Sequence, residues 1–290
     1  MVKKILNKGE TIGLVIGSGD LAKSCINMML LTGYNVQIIK LPCCDISVNK
    51  NLDQWNLRYE KIDEIFLRLK EKSINKIAMI GHVIRPNLNL NNFNSESLKI
   101  FKRIIPCLSK GDNSLFLAIK NEFENHGLIV LKVNEVVNAL TLSEGSYGYG
   151  ISDYSINKEI DEGFALFKEY SLLDLGQSLV FHKGHCLGLE TLSGTDYMLR
   201  GLIDFRENSK IENEYLKKGG FLIKAPKVKQ ILEIDVPSIG PGTVHLMKKA
   251  RLDGLVLQSN KVLIAEKEEV LNLVKENKMF LIVKNFIDHQ

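Results

Sequence analysis

The sequence predicts a two-domain α/β protein. Its 290 residues are more than one hydrophobic core ordinarily serves. Short apolar segments alternate with amphipathic segments through the first half, which is typical of parallel βαβ units. The pattern changes near residue 134, and we therefore expect one domain over residues 1–134 and a second over 135–290.

The spacing of apolar residues predicts the strands and helices of the first half. Short apolar runs predict buried strands, and apolar residues three or four positions apart predict the helices between them. The strands fall at residues 11–16, 36–39, 77–80 and 128–133, and the helices at 21–31, 62–69, 95–105 and 114–124. Because parallel sheets bind ligands beyond the carboxyl ends of their strands, the loops at 17–19 and 81–87 are candidate ligand contacts.

The second half combines a hairpin with further helices and strands. A glycine- and tyrosine-rich loop at 144–151 opens it. Helices are predicted at 156–170, 195–205, 244–250 and 267–275, and strands at 179–182, 186–190, 221–224, 254–258, 262–265 and 279–283. A Lys183-Gly184 turn separates the first two strands, which indicates a β-hairpin. This half therefore reaches the size and pattern of a separate α/β or α+β domain.

Composition narrows the class of protein. The chain has 38 basic and 34 acidic residues, and this mild excess permits an anionic ligand or membrane surface but predicts no nucleic-acid partner. Its five cysteines lack CxxC spacing, so we expect a reduced, cytoplasmic setting. We expect no secretory signal and no apolar run of roughly 18 residues, which leaves only peripheral membrane contact.

A glycine loop follows the first predicted strand. Gly17, Ser18 and Gly19 begin a G-x-G-x-x-A pattern just before a helix, where free N–H groups can bind phosphate. The dinucleotide fingerprint also requires an acid at the end of the second strand, and this chain has Lys40 near that point. We therefore predict phosphate contact rather than NAD binding, with a tight turn that binds no ligand as the alternative.

Four further residues are candidate substrate contacts. His82 and Arg85 follow the third predicted strand, where a guanidinium can bind phosphate or carboxylate. A surface ion pair is the alternative for Arg85. Thr195 and Asp196 open a predicted helix, and Thr195 is equally well explained as its N-cap.

His182 and His185 flank the predicted hairpin turn and are candidate ligands of a metal site. Zinc needs at least one more nearby ligand, which this spacing does not supply. A solvated turn is therefore the favoured interpretation.

The most informative chemistry lies in Lys224-Ala-Pro-Lys227 and the Gly/Pro-rich segment that contains Asp235. Lysines bind phosphate oxygens, a carboxylate can hold Mg²⁺, and the start of the helix that follows favours an anion. Asp235 lies between apolar residues, where a carboxylate requires a partner or a metal. We prefer chemistry at a phosphate, with a salt-bridged structural turn as the alternative.

Six short motifs span nearly the whole chain in a fixed order. They are GLVIGSG at 13–19, GHVIRP at 81–86, KGDN at 110–113, LDLGQ at 173–177, E-x₃-GTDYMLR at 190–200 and KAPK-x₂-Q-x₄-D-x-P-x-IG at 224–240. No single motif is decisive. The ordered set resembles the LpxI-type UDP-2,3-diacylglucosamine pyrophosphatases of bacterial lipid A biosynthesis.

The resemblance implies a Rossmann-like N-terminal domain, a separate C-terminal catalytic domain, and substrate bound between them. It implies Mg²⁺-dependent hydrolysis of UDP-2,3-diacylglucosamine to UMP and 2,3-diacylglucosamine 1-phosphate. The family's essential aspartate corresponds to Asp235, which we expect to act as the catalytic residue and metal ligand. Lys224 and Lys227 are expected to bind phosphate oxygens.

The implied partner is a lipid-linked sugar nucleotide, with peripheral contact to the inner membrane surface and with a homodimer left open. Two other functions stay open: an NAD(P)-dependent oxidoreductase, and a non-catalytic lipid- or nucleotide-binding protein. The lysine near the end of the second strand argues against the oxidoreductase. UMP release, nicotinamide binding, or binding without turnover distinguishes the three.

Overall fold

The structure is a computed structural model that describes residues 7–84, 86–109, 111–150, 154–208, 210 and 212–286. Its contacts form two compact units. The first extends to Leu140 and also contains Ile231–Val236, and the second comprises Thr141–Gln230 and the chain from Pro237 onward. The contacts therefore divide the chain a few residues after the expected position of 134 and add a short later segment to the first unit.

The first unit is built on a parallel sheet. Its strands are β1 (Thr11–Ile16), β2 (Asn35–Lys40), β3 (Gln54–Asn56), β4 (Lys76–Ile80) and β5 (Ile129–Val130). Its helices are α1 (Asp20–Leu31), α2 (Ile62–Glu71), α3 (Ser95–Ile104), α4 (Asp112–Asn125) and α5 (Val133–Val136). The strand order β3-β2-β1-β4-β5, with every described pair parallel, is Rossmann-like.

Amphipathic helices close one hydrophobic core of this unit. Phe66 of α2 and Phe101 of α3 are buried in a cluster that also contains Ile77 of β4. Burial of such apolar faces is the main favourable term in folding. Ile234 packs against the same cluster, and this contact explains why the segment Ile231–Val236 belongs with the first unit.

The second unit contains a mixed sheet and a short parallel pair. Its strands are β6 (Gly145–Ser146), β7 (Ser178–His182), β8 (His185–Leu189), β9 (Phe221–Lys224), β10 (Ser238–Ile239), β11 (Gly254–Gln258), β12 (Leu263–Ile264) and β13 (Phe280–Lys284). Its helices are α6 (Tyr154–Ser171), α7 (Thr195–Asn208), α8 (Glu214–Lys217), α9 (Pro241–Lys249) and α10 (Lys267–Glu276). The large sheet has the order β6-β13-β11-β9-β7-β8, and β10 pairs with β12.

Both faces of the large sheet are buried. Leu222 of β9 joins a core formed with α7, α9 and α10, whereas its neighbours Phe221 and Ile223 join a second core formed with α6. Successive side chains of a strand point to opposite faces, so the apolar run of β9 serves both cores. Lys224 is the last residue of β9, so a charged side chain lies at the end of a buried strand.

The predicted elements are largely confirmed, with differences at short segments. The strand expected at 128–133 is reduced to Ile129–Val130 because α5 begins at Val133. Strands β3, β6 and β10 were not predicted, and β6 lies in the segment expected to be a loop, since segments of two or three residues give no usable periodicity.

The cysteines and helices give two further observations. All five cysteines are free thiols, and burial raises the pKa of the Cys25 thiol to about 12. Within the described ranges, no helix combines the length and the apolar character that crossing a membrane requires.

Candidate active site

Lys224 ends strand β9 with its side chain inside the second unit. Only 4% of the residue is exposed. Strand β7 runs antiparallel to β9, and Ser178, the first residue of β7, lies directly opposite Lys224. Burying an ammonium group is costly unless a counter-charge and hydrogen-bond acceptors accompany it. Both come from the chain that runs from the end of β8 to the first residue of α7.

The counter-charge is Glu190, which follows β8 and is 8% exposed. The Lys224 Nζ donates to Thr195 Oγ1 at 2.6 Å and lies 3.5 Å from Glu190 Oε2. Thr195 Oγ1 donates to Glu190 Oε2 at 2.6 Å, and the Ser178 hydroxyl donates to the same oxygen. Burial alone would raise the pKa of Glu190, but the charge of Lys224 and the two hydroxyl donors lower it overall. Glu190 is therefore ionised at neutral pH, paired with Lys224.

Lys227 is also buried and also paired. Its Nζ lies 2.6 Å from Asp174 Oδ1, and its backbone N–H donates to Gln230 Oε1 at 2.8 Å. The backbone N–H of Ala225 donates to the carbonyl of Gln177 at 3.1 Å. The motif at 173–177 thus binds the motif at 224–227 through both an ion pair and the backbone.

Gly176 shows how closely the motifs approach one another. A Cβ at this position would lie 2.2 Å from the Tyr170 hydroxyl and 2.3 Å from the Glu190 carbonyl oxygen. Any side chain would push these segments apart. Three motifs that are separate in sequence therefore meet in one place, around Lys224 and Glu190.

The first turns of α7 and α9 lie beside each other. Thr243, at the start of α9, donates its hydroxyl to Asp196 Oδ1 of α7 at 3.5 Å. The Asp196 side chain is exposed. Thr195 is the first residue of α7, and its hydroxyl bonds Glu190 and Lys224, so the N-cap alternative considered from the sequence was wrong.

The glycine loop of the first unit is joined to the loop after β4. The backbone N–H of Ser18 donates to the His82 carbonyl at 3.0 Å, and that of His82 donates to the Ser18 carbonyl at 2.9 Å. The N–H of Gly17 donates to the Ile80 carbonyl at 2.9 Å. A Cβ on Gly17 would lie 2.2 Å from the His82 carbonyl oxygen, which requires glycine there. Two of the N–H groups expected to bind phosphate thus bond within the protein, and Gly19 precedes α1 with a φ of +100°.

Two predicted site residues, Asp235 and Arg85, remain to be placed. Asp235 is half-buried, its N–H donates to the Ile231 carbonyl at 2.9 Å, and its segment packs with the first unit. Arg85 lies outside the described residues. The structure thus brings Thr195, Lys224 and Lys227 into the second-unit cluster.

The histidines of the hairpin differ from each other. His182 is buried, with Nδ1 3.7 Å from Glu159 Oε1, and burial lowers its pKa despite that carboxylate. His185 is exposed. The expectation of a solvated turn was therefore wrong for His182, because Gly219 and Gly220 pack directly against its ring.

Sequence reasoning did not select Ser178, Glu190 or Asp174 as site residues. Glu190 and Asp174 lie within the recognised motifs, so the signal was present but was assigned to the resemblance alone. A buried lysine requires an acidic partner, and that requirement could have directed attention to acids in the same set of motifs.

These features define a two-domain α/β protein with a glycine loop at a parallel sheet and a buried lysine–carboxylate site of the type suited to an anionic ligand. Comparison with protein families gives a closer identification. The LpxI N-terminal domain matches residues 11–140, and the LpxI C-terminal domain matches residues 143–282. The chain therefore belongs to the LpxI family, as its motifs indicated.

Two individual proteins illustrate the comparison. The chain is 27% identical, over 274 residues, to the UDP-2,3-diacylglucosamine pyrophosphatase LpxI of Caulobacter vibrioides, covering 93% of this chain and 96% of that protein. A crystal structure of an epimerase candidate from Bacteroides thetaiotaomicron aligns over 42% of this chain and 44% of its own, at 16% identity. Its TM-score of 0.26 is too low to support an argument about fold or function.

Proposed function

We propose that this chain hydrolyses UDP-2,3-diacylglucosamine to UMP and 2,3-diacylglucosamine 1-phosphate. The observation that carries the proposal is the convergence of three LpxI motifs on Lys224, in a chain whose two halves match the two LpxI domains. The Caulobacter relative, named for this pyrophosphatase activity, is similar over nearly its whole length.

The lysines provide the positive charge that a diphosphate substrate requires. The Lys224 ammonium contacts Glu190 and Thr195, and we propose that it binds a phosphate oxygen of the substrate. Lys227 is paired with Asp174 in the structure. We assign it the same role in the substrate complex, where a phosphate oxygen would share its ammonium with Asp174.

Asp235 is the proposed catalytic residue, as a Mg²⁺ ligand or as the base that orients the attacking water. The described residues contain no group of three or more His, Cys, Asp or Glu side chains able to hold a metal. Mg²⁺ is commonly held by one or two carboxylates together with substrate phosphates and water, so one aspartate is compatible with it. When bound, Mg²⁺ would neutralise diphosphate charge and polarise the attacked phosphorus.

The remaining candidates are assigned to substrate binding. In the glycine loop, Gly19 would contact a phosphate through its backbone at the start of α1, while Gly17 and Ser18 hold the loop beside His82. We retain Arg85 as a candidate on its sequence position alone.

We propose a cytoplasmic location, from which an enzyme acting on a two-chain lipid needs contact with a membrane surface. We propose peripheral contact with the inner membrane. The diacylated substrate in the name of the Caulobacter relative supports this contact. Sedimentation with vesicles tests this contact, and light scattering distinguishes a monomer from a homodimer.

The decisive experiment measures UMP release from UDP-2,3-diacylglucosamine by the purified full-length chain, with Lys224→Met as the matched variant. Hydrolysis by the wild type that falls with Lys224→Met is the expected result. Nicotinamide binding without UMP release would favour the oxidoreductase, and lipid or nucleotide binding without turnover would favour a binding protein.

A further inference from the structure

We propose that Glu190 is a positioning residue that holds the Lys224 ammonium in place to bind the diphosphate of the substrate. The inference rests on the proposed function for the identity of the ligand. It adds Glu190, with its hydroxyl donors Ser178 and Thr195, to the lysines of the second unit that are proposed to bind phosphate oxygens.

The hydrogen atoms of the cluster can be assigned. Ser178 and Thr195 each have one hydroxyl hydrogen, and both are directed to Glu190 Oε2. Thr195 Oγ1 therefore receives the Lys224 hydrogen as an acceptor, at 2.6 Å. An ammonium has three N–H groups. One binds Thr195 and a second lies within reach of Glu190, and we assign the third to a phosphate oxygen.

The position of the Lys224 ammonium depends on Glu190. The carboxylate supplies the negative charge that compensates the buried ammonium. A neutral side chain at this position would leave Lys224 buried without its counter-ion. It would also leave Thr195 free to turn its hydrogen away, and the Lys224 ammonium would lose its fixed direction.

A structural function alone does not require this arrangement. Replacing a buried ion pair by apolar residues is often neutral or stabilising, so the pair is weak evidence for stability. Glu122 of the first unit gives a useful contrast. It is also buried, but it pairs with the Arg103 side chain, which is 54% exposed, and so supports a surface contact between α3 and α4.

The test is a double-mutant cycle on the full-length chain. Glu190→Gln, Lys224→Met and the double variant are compared with the wild type. Two quantities are measured: the Kd for UDP by calorimetry, and kcat/KM for UMP release. Glu122→Gln is the matched control for loss of a buried, paired glutamate. Thermal unfolding of each variant is recorded alongside.

We expect Glu190→Gln to weaken UDP binding by roughly tenfold to a hundredfold, the range for loss of one hydrogen bond to a charged group. In the Lys224→Met background the same change should alter the Kd by less than about twofold, because its effect passes through Lys224. Glu122→Gln should leave the Kd unchanged.

If the losses in UDP affinity of the two single variants multiply in the double variant, the proposal is overturned. A Glu190→Gln variant that binds UDP with wild-type affinity would also overturn it. Ser178→Ala provides a second test if Glu190→Gln fails to fold, since it removes one donor and keeps both charges. Its smaller loss should also disappear in the Lys224→Met background, and persistence of that loss would overturn the proposal. Absence of UMP release by the wild type would refute the proposed function, while the UDP cycle would still decide the role of Glu190.

Discussion

Glu190 contributes to the pH dependence of the free energy of unfolding. Replacing Lys224 by methionine should reverse the sign of that contribution. In the wild type the pKa of Glu190 lies below its ordinary value of 4.5. Its contribution to stability is therefore present above pH 4.5 and is lost as the pH falls through the folded-state pKa. Methionine has a similar length but no charge, so burial then dominates and raises the pKa of Glu190.

The size of the effect follows from the burial of the pair. Removing one partner of a buried ion pair typically costs about 3–5 kcal/mol, because the remaining charge is uncompensated. The two hydroxyl donors of Ser178 and Thr195 remain, so we expect about 3 kcal/mol at pH 7. Protonation of Glu190 relieves this cost as the pH falls, at about 1.4 kcal/mol for each tenfold change in proton affinity. The difference between variant and wild type should therefore shrink between pH 7 and pH 4.5.

Calorimetry between pH 4.5 and pH 8 measures this difference in the free energy of unfolding. The single tryptophan, Trp55, lies in the first unit, so its fluorescence reports that unit separately and serves as an internal control. Lys284→Met removes a lysine from a more exposed pair with Asp161 in the second unit, and it should cost less than about 1 kcal/mol. A loss for Lys224→Met that is equally small, or that stays constant across this pH range, would refute the reasoning.

Three further predictions test other parts of the chain. Asp235→Asn should lower kcat by at least about a hundredfold with the fold intact, and near-normal UMP release would exclude a catalytic role. EDTA should abolish UMP release and Mg²⁺ should restore it, whereas full activity after exhaustive chelation would contradict the metal assignment. Gly17→Ala should destabilise the first unit by about 2 kcal/mol or more, measured by denaturation, because a Cβ would lie 2.2 Å from the His82 carbonyl oxygen. Gly201→Ala is its control, since it has open space in α7 and should stabilise by up to about 1 kcal/mol.

Sequence periodicity predicted the long elements because each has an apolar face or an apolar run that burial requires. The helix over α6 and the strand β9 illustrate this, since both supply residues to the same buried core. Short pairs such as β10 with β12 depend on contacts between distant segments, and local sequence does not determine them. The same limit applies to Ile231–Val236, whose packing with the first unit depends on a tertiary contact of Ile234.

The candidate site was predictable in composition but not in its pairings. Lysines in a Gly/Pro-rich segment indicated an anion, and the structure buries Lys224 and Lys227 and pairs each with an acid from an earlier motif. Which acid pairs with which lysine depends on strand register. No property of the isolated motifs determines that Ser178 lies opposite Lys224.

The topology of the second unit explains why this cluster forms where it does. Because β7 is antiparallel to β9, the first residue of β7 lies beside the last residue of β9, which places Ser178 next to Lys224. Because β8 is antiparallel to β7, its carboxyl end returns to the same edge, and Glu190 follows directly. The start of α7 then adds Thr195. The β7–β8 hairpin pairs antiparallel with β9, and β9 pairs parallel with β11 on its other side. This arrangement places a lysine, a carboxylate and two hydroxyls together at the carboxyl end of β9. Parallel sheets bind ligands at such carboxyl ends, and here the hairpin supplies the buried acid that β9 alone lacks.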